Sequence, residues 1–409
     1  MNVKSIAIQL LWLSIVAIGL PACSKPAEDA SKTTKPEVAP SFTFLLSQAQ
    51  FTRDANGKPS PGAAKLRIVT VENNSVSERI LEDPESRVFH KALCRAGAQG
   101  TSLWTIGATG AHLKEWNLSD LTPIKTHYSG KFGGKWDRLR DFETLKSATG
   151  EHLWAVATHD QGHVLTFNPT SGAASMLHDE KTTFVHEVEV GDLNGDGLED
   201  FATTPSKPNK AGKSQPGRVD AYLQASDGTF KRAAALSAAN RHAKEILVTD
   251  WNLDGTAELY VVLEGRLGPQ RELVKPVEIV RVEHRDGKWL ETGRVAIPRA
   301  KQARVLLSAN VDEDRNPELI VSTMRSGIWA IDDYGQPARQ LISGKLSSGF
   351  EHAVTALDTD GDTIAELFVT SEDQDHFSKW SYRDGRWSSQ RLRELGKSEI
   401  TWSIEHCNR

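Results

Sequence analysis

Four stretches of this 409-residue chain carry oxygen-bearing side chains at identical offsets, and no other feature of the sequence constrains the fold as strongly. They are VEVGDLNGDGLEDFATT from Val188, ILVTDWNLDGTAELYVV from Ile246, LLSANVDEDRNPELIVS from Leu306 and VTALDTDGDTIAELFVT from Val354. In each, an alternating apolar run enters polar positions at offsets 0, 2, 4 and 8, and a second apolar run follows at once. The sets are Asp192, Asn194, Asp196, Asp200; Asp250, Asn252, Asp254, Glu258; Asn310, Asp312, Asp314, Glu318; and Asp358, Asp360, Asp362, Glu366. Motif starts 58, 60 and 48 residues apart have the period of one four-stranded sheet, so the length predicts a single radial array of sheets rather than two or three domains.

Four oxygen side chains within nine residues repel one another unless a cation sits among them, and a donor set of oxygen alone suits calcium. Gly197 and Gly255 follow the third ligand position, where a sharp turn favours positive φ. An EF-hand shares the D-x-N-x-D-G opening but needs flanking helices and a Glu at loop position 12; here β-type runs flank the loop and the last acid stands at position 9. The pattern resembles the FG-GAP/VCBS repeat family of integrin alpha heads and bacterial surface proteins. That resemblance implies an all-β fold, a seven-bladed β-propeller with calcium loops between the first and second strands of several blades. It also implies that the sixteen residues named above are calcium ligands, and it brings no enzymatic activity with it.

Stepping back by one period reaches Lys135 to Asp141 and then Val88 to Cys94, each followed by a strand-like run, so six units are expected to begin near 88, 135, 184, 244, 304 and 352. Asp-Gly turns in SDGTF, RDGKW and RDGRW mark outer hairpins. Residues 41–85 offer three strands without an inner one, and Glu399–Cys407 offers an inner strand with nothing after it; together they are expected to close the ring and remove open sheet edges. Cys94 and Cys407 then end neighbouring inner strands, which predicts a disulfide across the closure; the alternative is two buried thiols.

The amino terminus reads as an address. Lys4 precedes an apolar run from Ile6 to Leu20, short for a membrane span and right for a signal-peptide core. It ends in Leu20-Pro21-Ala22-Cys23, which resembles the lipobox of bacterial lipoproteins. The expectation is therefore a signal peptide over residues 1–22, acylation of Cys23 and, since Ser24 rather than Asp follows, outer-membrane sorting. The alternative is an ordinary secretory signal cut near Ala22. Residues 23–40 lack aromatics and read as a tether, with the propeller over 41–409.

The formal charge of −5 makes nucleic acid a poor partner, although four bound calcium ions would turn the mature chain mildly positive. Six residues upstream of each motif start lies the expected top of the inner strand. The positions there are Lys135, His186, Lys244, Arg304 and His352, with His90 the counterpart in the first unit. Cations gathered at one mouth would draw an anionic ligand such as an acidic glycan or a protein partner to a monomeric, membrane-anchored chain. Two alternatives remain: a lyase of acidic polysaccharides, with His186, His352 and Arg304 as catalytic candidates, or a structural scaffold. No nucleophile elbow, zinc-protease helix or phosphate loop is present in the sequence.

Overall fold

The computed structural model describes residues 41–407 apart from 54, 73–74, 98–99, 134–136, 159–160, 208–213, 344–351 and 372–374. The expected signal peptide, the tether with Cys23, and Lys135 lie outside the described residues. Every element among the described residues is a β-strand, as the alternating apolar runs require.

Six antiparallel sheets of four strands open at Val88, Leu139, Phe184, Ala243, Ala303 and His352 and run outward in chain order. The fourth also carries a small hairpin, Arg266–Leu267 with Leu273–Lys275, between its second and third strands. A seventh four-stranded set is assembled from both ends: Glu399–Cys407 pairs with Ser41–Arg53, which pairs with Pro59–Glu72, and that with Ser75–Asp83. A single pair, Ala49 with Val88, joins this set to the first sheet. The seven inner strands pack one against the next and the last packs against the first, closing a ring.

Each interface between neighbouring sheets buries its own apolar cluster, because a sheet exposes two faces and both meet a neighbour. Trp104 and Phe142 sit between the first and second sheets, with the Trp104 and Trp154 rings 5.0 Å apart. Tyr260, Val321 and Trp329 lie between the fourth and fifth. Phe44, Phe368 and Phe377 fill the joint between the sixth and the seventh. The Asp-Gly turns form as expected: Asp286 and Gly287 have φ of 50° and 74°, Asp384 and Gly385 51° and 74°, the paired positive values of a type I′ hairpin.

The closure is held by more than backbone. Glu399 accepts from Lys65 at 2.5 Å and from Arg67 at 2.8 Å, Gln48 Nε2 donates to Thr401 Oγ1 at 3.0 Å, and Cys94 is bonded to Cys407 with Cα atoms 5.3 Å apart. One aromatic departs from expectation. Trp251, inside the second acidic loop, looks from sequence like an exposed ring; instead it packs edge-on against Tyr260 and Tyr334 and donates to the Pro317 carbonyl. The exposed apolar side chain of that loop is Leu253, at 76%.

Candidate functional site

The four acidic loops join the first and second strands of the third to sixth sheets. Their last acids, Asp200, Glu258, Glu318 and Glu366, are the first residues of the second strands and are buried. Each accepts the backbone N–H of the residue after the first ligand position: Leu193 to Asp200 at 3.1 Å, Trp251 to Glu258 at 3.3 Å, Val311 to Glu318 at 2.8 Å and Thr359 to Glu366 at 2.9 Å. The strand therefore anchors one end of the loop. At the other end Asp192 accepts from Gly195 and Gly197, Asp250 from Asp254 and Gly255, and Asp358 from Gly361 and Thr363, so the loop winds around its first carboxylate.

That winding needs a left-handed residue after the third ligand position in every copy. Gly197 and Gly255 supply it at φ 81° and 92°, whereas Arg315 and Thr363 adopt 68° and 75° against their steric preference. The space around Gly197 would admit a Cβ, so only the backbone opposes a side chain there. Gly197→Ala is therefore expected to cost roughly 1–2 kcal/mol, and Thr363→Gly to gain roughly 1 kcal/mol; urea denaturation of the two variants checks both signs.

The carboxylates crowd one another. Carboxylate oxygens of Asp312, Asp314 and Glu318, and those of Asp358, Asp360 and Asp362, lie within 4.8 Å of one another. Burial, with Asp196 and Asp192 nearby, pushes the Asp200 carboxyl up to about 7; burial, with Asp312 and Asp314, does the same to Glu318. An all-oxygen donor set that close fits a hard divalent cation. The loops differ in how they are otherwise compensated. Arg339 pairs with Asp312 at 2.7 Å, Lys379 with Glu366 at 2.6 Å, and Arg383 with Asp360. Among the described residues, no Lys or Arg forms a salt bridge with an acid of the first two loops.

At the opposite ends of the inner strands the structure shows a device that the sequence reading lacked. The ladder between first and second strands slips at His90, at Arg140, at His186–Glu187, at Lys244–Glu245 and at Arg304, and the closing strand slips at Trp402. A β-bulge re-aims side chains that a regular strand would send to alternate faces. Thus His90, His186, Lys244 and Arg304 occupy equivalent places, and Arg140 fills the place in the second sheet. His352 opens the sixth inner strand, whose ladder is regular. Arg140 Nη1 is 3.2 Å from His90 Nδ1, the His90 and Trp402 rings are 5.1 Å apart, and Lys244 Nζ is 3.1 Å from His186 Nδ1.

Carboxylates stand among these cations. Arg304 pairs with Glu264 at 2.9 Å, and Glu264 lies 3.7 Å from His242. One layer on, Lys91 pairs with Asp141 at 3.0 Å and with Glu143. Burial alone would lower the Lys91 ammonium, but Asp141, Glu143, Glu405 and Glu189 outweigh it and hold its pKa well above the usual value. Burial pushes the Glu405 carboxyl up to about 7. A count of cations at one offset missed Arg140, Glu187, Glu245 and Glu264. The signal that could have found most of them is a pair of consecutive polar residues (His90-Lys91, Arg140-Asp141, His186-Glu187, Lys244-Glu245) breaking the alternation at the head of each strand.

The FG-GAP-like repeat family matches residues 192–261, the segment from the first ligand position of the first loop through the second. No curated protein sequence matches the chain. Two solved structures share the architecture. One is the Dos1 propeller, at 10% identity and TM-score 0.51, covering 87% of this chain and 86% of that one. The other is a candidate 6-phosphogluconolactonase from Bacteroides uniformis, at 10% identity and TM-score 0.53, covering 90% and 99%. Identity this low carries the fold alone. The protein is a β-propeller that carries FG-GAP-like repeats over residues 192–261.

Proposed function

We propose that this propeller is a calcium-stabilised binding module, tethered to the bacterial outer membrane through an acylated Cys23, that takes an anionic ligand at the channel mouth. The observation carrying the binding role is the row of bulges, which presents His90, Arg140, His186, Lys244 and Arg304 at equivalent points on five inner strands. Bulges recur where a strand must aim a side chain at a ligand, and cations converging on a low-dielectric mouth focus field there. The calcium role is supported by the four-fold recurrence of the oxygen loops, and the anchor by the sequence from Lys4 to Cys23.

The reading is tested by binding to immobilised polygalacturonate against dextran. Acidic polymer is expected to be retained and neutral polymer not, with affinity falling as salt rises and at least ten-fold weaker in Arg140→Ala/Lys244→Ala. Equal retention of dextran, or binding indifferent to salt and to the two cations, would sink it. Incorporation of labelled palmitate into the wild type but not into Cys23→Ser checks the anchor.

A further inference from the structure

The polar atoms left without partners at the mouth collect on the wall formed by the fourth sheet. Lys244 is 6% exposed, and its ammonium has one hydrogen-bond partner, the His186 ring; it makes no salt bridge among the described residues. Glu245, its neighbour in the same bulge, is also 6% exposed and leaves Oε1 without a donor. His242, 3% exposed and two residues before Lys244, has no hydrogen bond at either ring nitrogen. A buried ammonium without an anion and a buried carboxylate oxygen without a donor are each costly, and three such groups within four residues call for an explanation.

From this geometry we infer that Lys244, Glu245 and His242 form a site for a small zwitterion of the α-amino acid class, its carboxylate on Lys244 and His242 and its ammonium on Glu245. The inference rests on reading the mouth as the binding face and adds, at one point of its wall, a net-neutral small ligand to the acidic polymer that the whole row of cations would hold. In a regular strand residues 244 and 245 would point to opposite faces; the slip between Ala243 and Ile246 frees both. Lys244 reaches His186, in the bulge of the neighbouring inner strand, so its head lies along the row of inner strands. The Cα atoms of Lys244 and Glu245 are ~3.8 Å apart, yet the two heads form no salt bridge with each other, so each is open to a complementary charge on a ligand.

A simple anion fits less well. Bound at Lys244 it would face the undonated oxygen of Glu245 and be repelled. A simple cation at Glu245 would face Lys244 and Arg304 in the same way. Glu187 stands beside Glu245: burial and the Glu245 charge hold its carboxyl well above the usual range. His242, whose ring burial keeps neutral, offers an N–H to the second oxygen of the ligand carboxylate.

Calorimetric titration of the calcium-loaded protein tests this with glycine, L-alanine and D-alanine as zwitterions, acetate and methylammonium as the two halves, and glucuronate as a carboxylate bearing hydroxyls. At least one zwitterion is expected to bind with millimolar or better affinity, with each half at least ten-fold weaker. Glu245→Gln and Lys244→Met are each expected to weaken it ten-fold or more at an unchanged melting temperature. Should a variant fold poorly, the wild-type preference for the zwitterion over its halves still decides. No binding of any zwitterion up to ~10 mM, or acetate binding as well as glycine, overturns the inference. Glucuronate binding more tightly than any zwitterion and unaffected by Glu245→Gln also overturns it, while leaving the anion-binding mouth intact. If polygalacturonate fails as well, both readings fall.

Discussion

Reduction of the Cys94–Cys407 bond is expected to lower stability by about 5–6 kcal/mol. The bond spans 313 residues of sequence, and the entropy removed from the unfolded chain grows with the logarithm of the loop it closes. Its position adds to this. Cys407 ends the last inner strand, which is held to the amino-terminal strands of its sheet by pairing and not by chain connection, and the bond ties it to Cys94 on the first inner strand. The remaining hold on Glu399–Cys407 includes its ladder to Ser41–Arg53, the Glu399 pairs with Lys65 and Arg67, the Gln48–Thr401 hydrogen bond, and Ile404 buried among Phe44, Phe368 and Phe377. Cys94→Ser/Cys407→Ser should therefore fold but open first at that strand. Melting of the oxidised protein against the double variant gives the magnitude. Hydrogen exchange gives the place: amides of 399–407 should lose protection ahead of the other inner strands. Equal melting temperatures would refute the claim.

The second large effect concerns the acidic loops. If calcium occupies them, one site filled at a thousand times its dissociation constant stabilises the fold by about 4 kcal/mol, which for a domain this long is roughly 5 °C in melting temperature, and several sites add. Calorimetry in calcium against chelator measures it. The loops should not contribute equally. Arg339, Lys379 and Arg383 already offset charge in the third and fourth, and a calcium ion there must displace or share those pairs. The first and second loops have no such counter-cation among the described residues, and they hold Gly where the turn is left-handed. Asp196→Asn and Asp254→Asn should accordingly remove more of the calcium-dependent gain than Asp312→Asn. A melting temperature unmoved by chelator would count against metal in all four loops.

Much of the architecture was legible before any coordinates. Alternation of apolar residues marks strands, and the repeat of the acidic loop marks the period. Units expected to begin near 88, 135, 184, 244, 304 and 352 open at Val88, Leu139, Phe184, Ala243, Ala303 and His352. Recurrence made this possible, because a signal too weak to trust in one copy adds across four. Trp251 shows the limit. A Trp between two ligand positions reads as exposed, since sequence cannot say that Tyr334 of the next sheet will stand against it.

The mouth was only half legible. Cations at a fixed distance from the loops are a matter of counting, and four of the five described bulge cations were found that way. What turns them toward the channel is a slip in the ladder, and a slip is a relation between two strands rather than a property of either. The carboxylates went unread for the same reason. Glu187 and Glu245 follow His186 and Lys244 by one residue, and strict alternation would send them to the opposite face, away from the channel.

The sequence by itself determined the strands, the spacing of the loops, the oxygen chemistry within them and the two cysteines that could meet, because each of these is written locally or repeats at a fixed interval. Only the tertiary structure decided which acids already have a cation, where the ladders slip, and that Lys244 and Glu245 share one bulge. Those outcomes depend on which strand lies beside which and in what register, and contacts between residues far apart in the chain leave no periodic trace in the sequence.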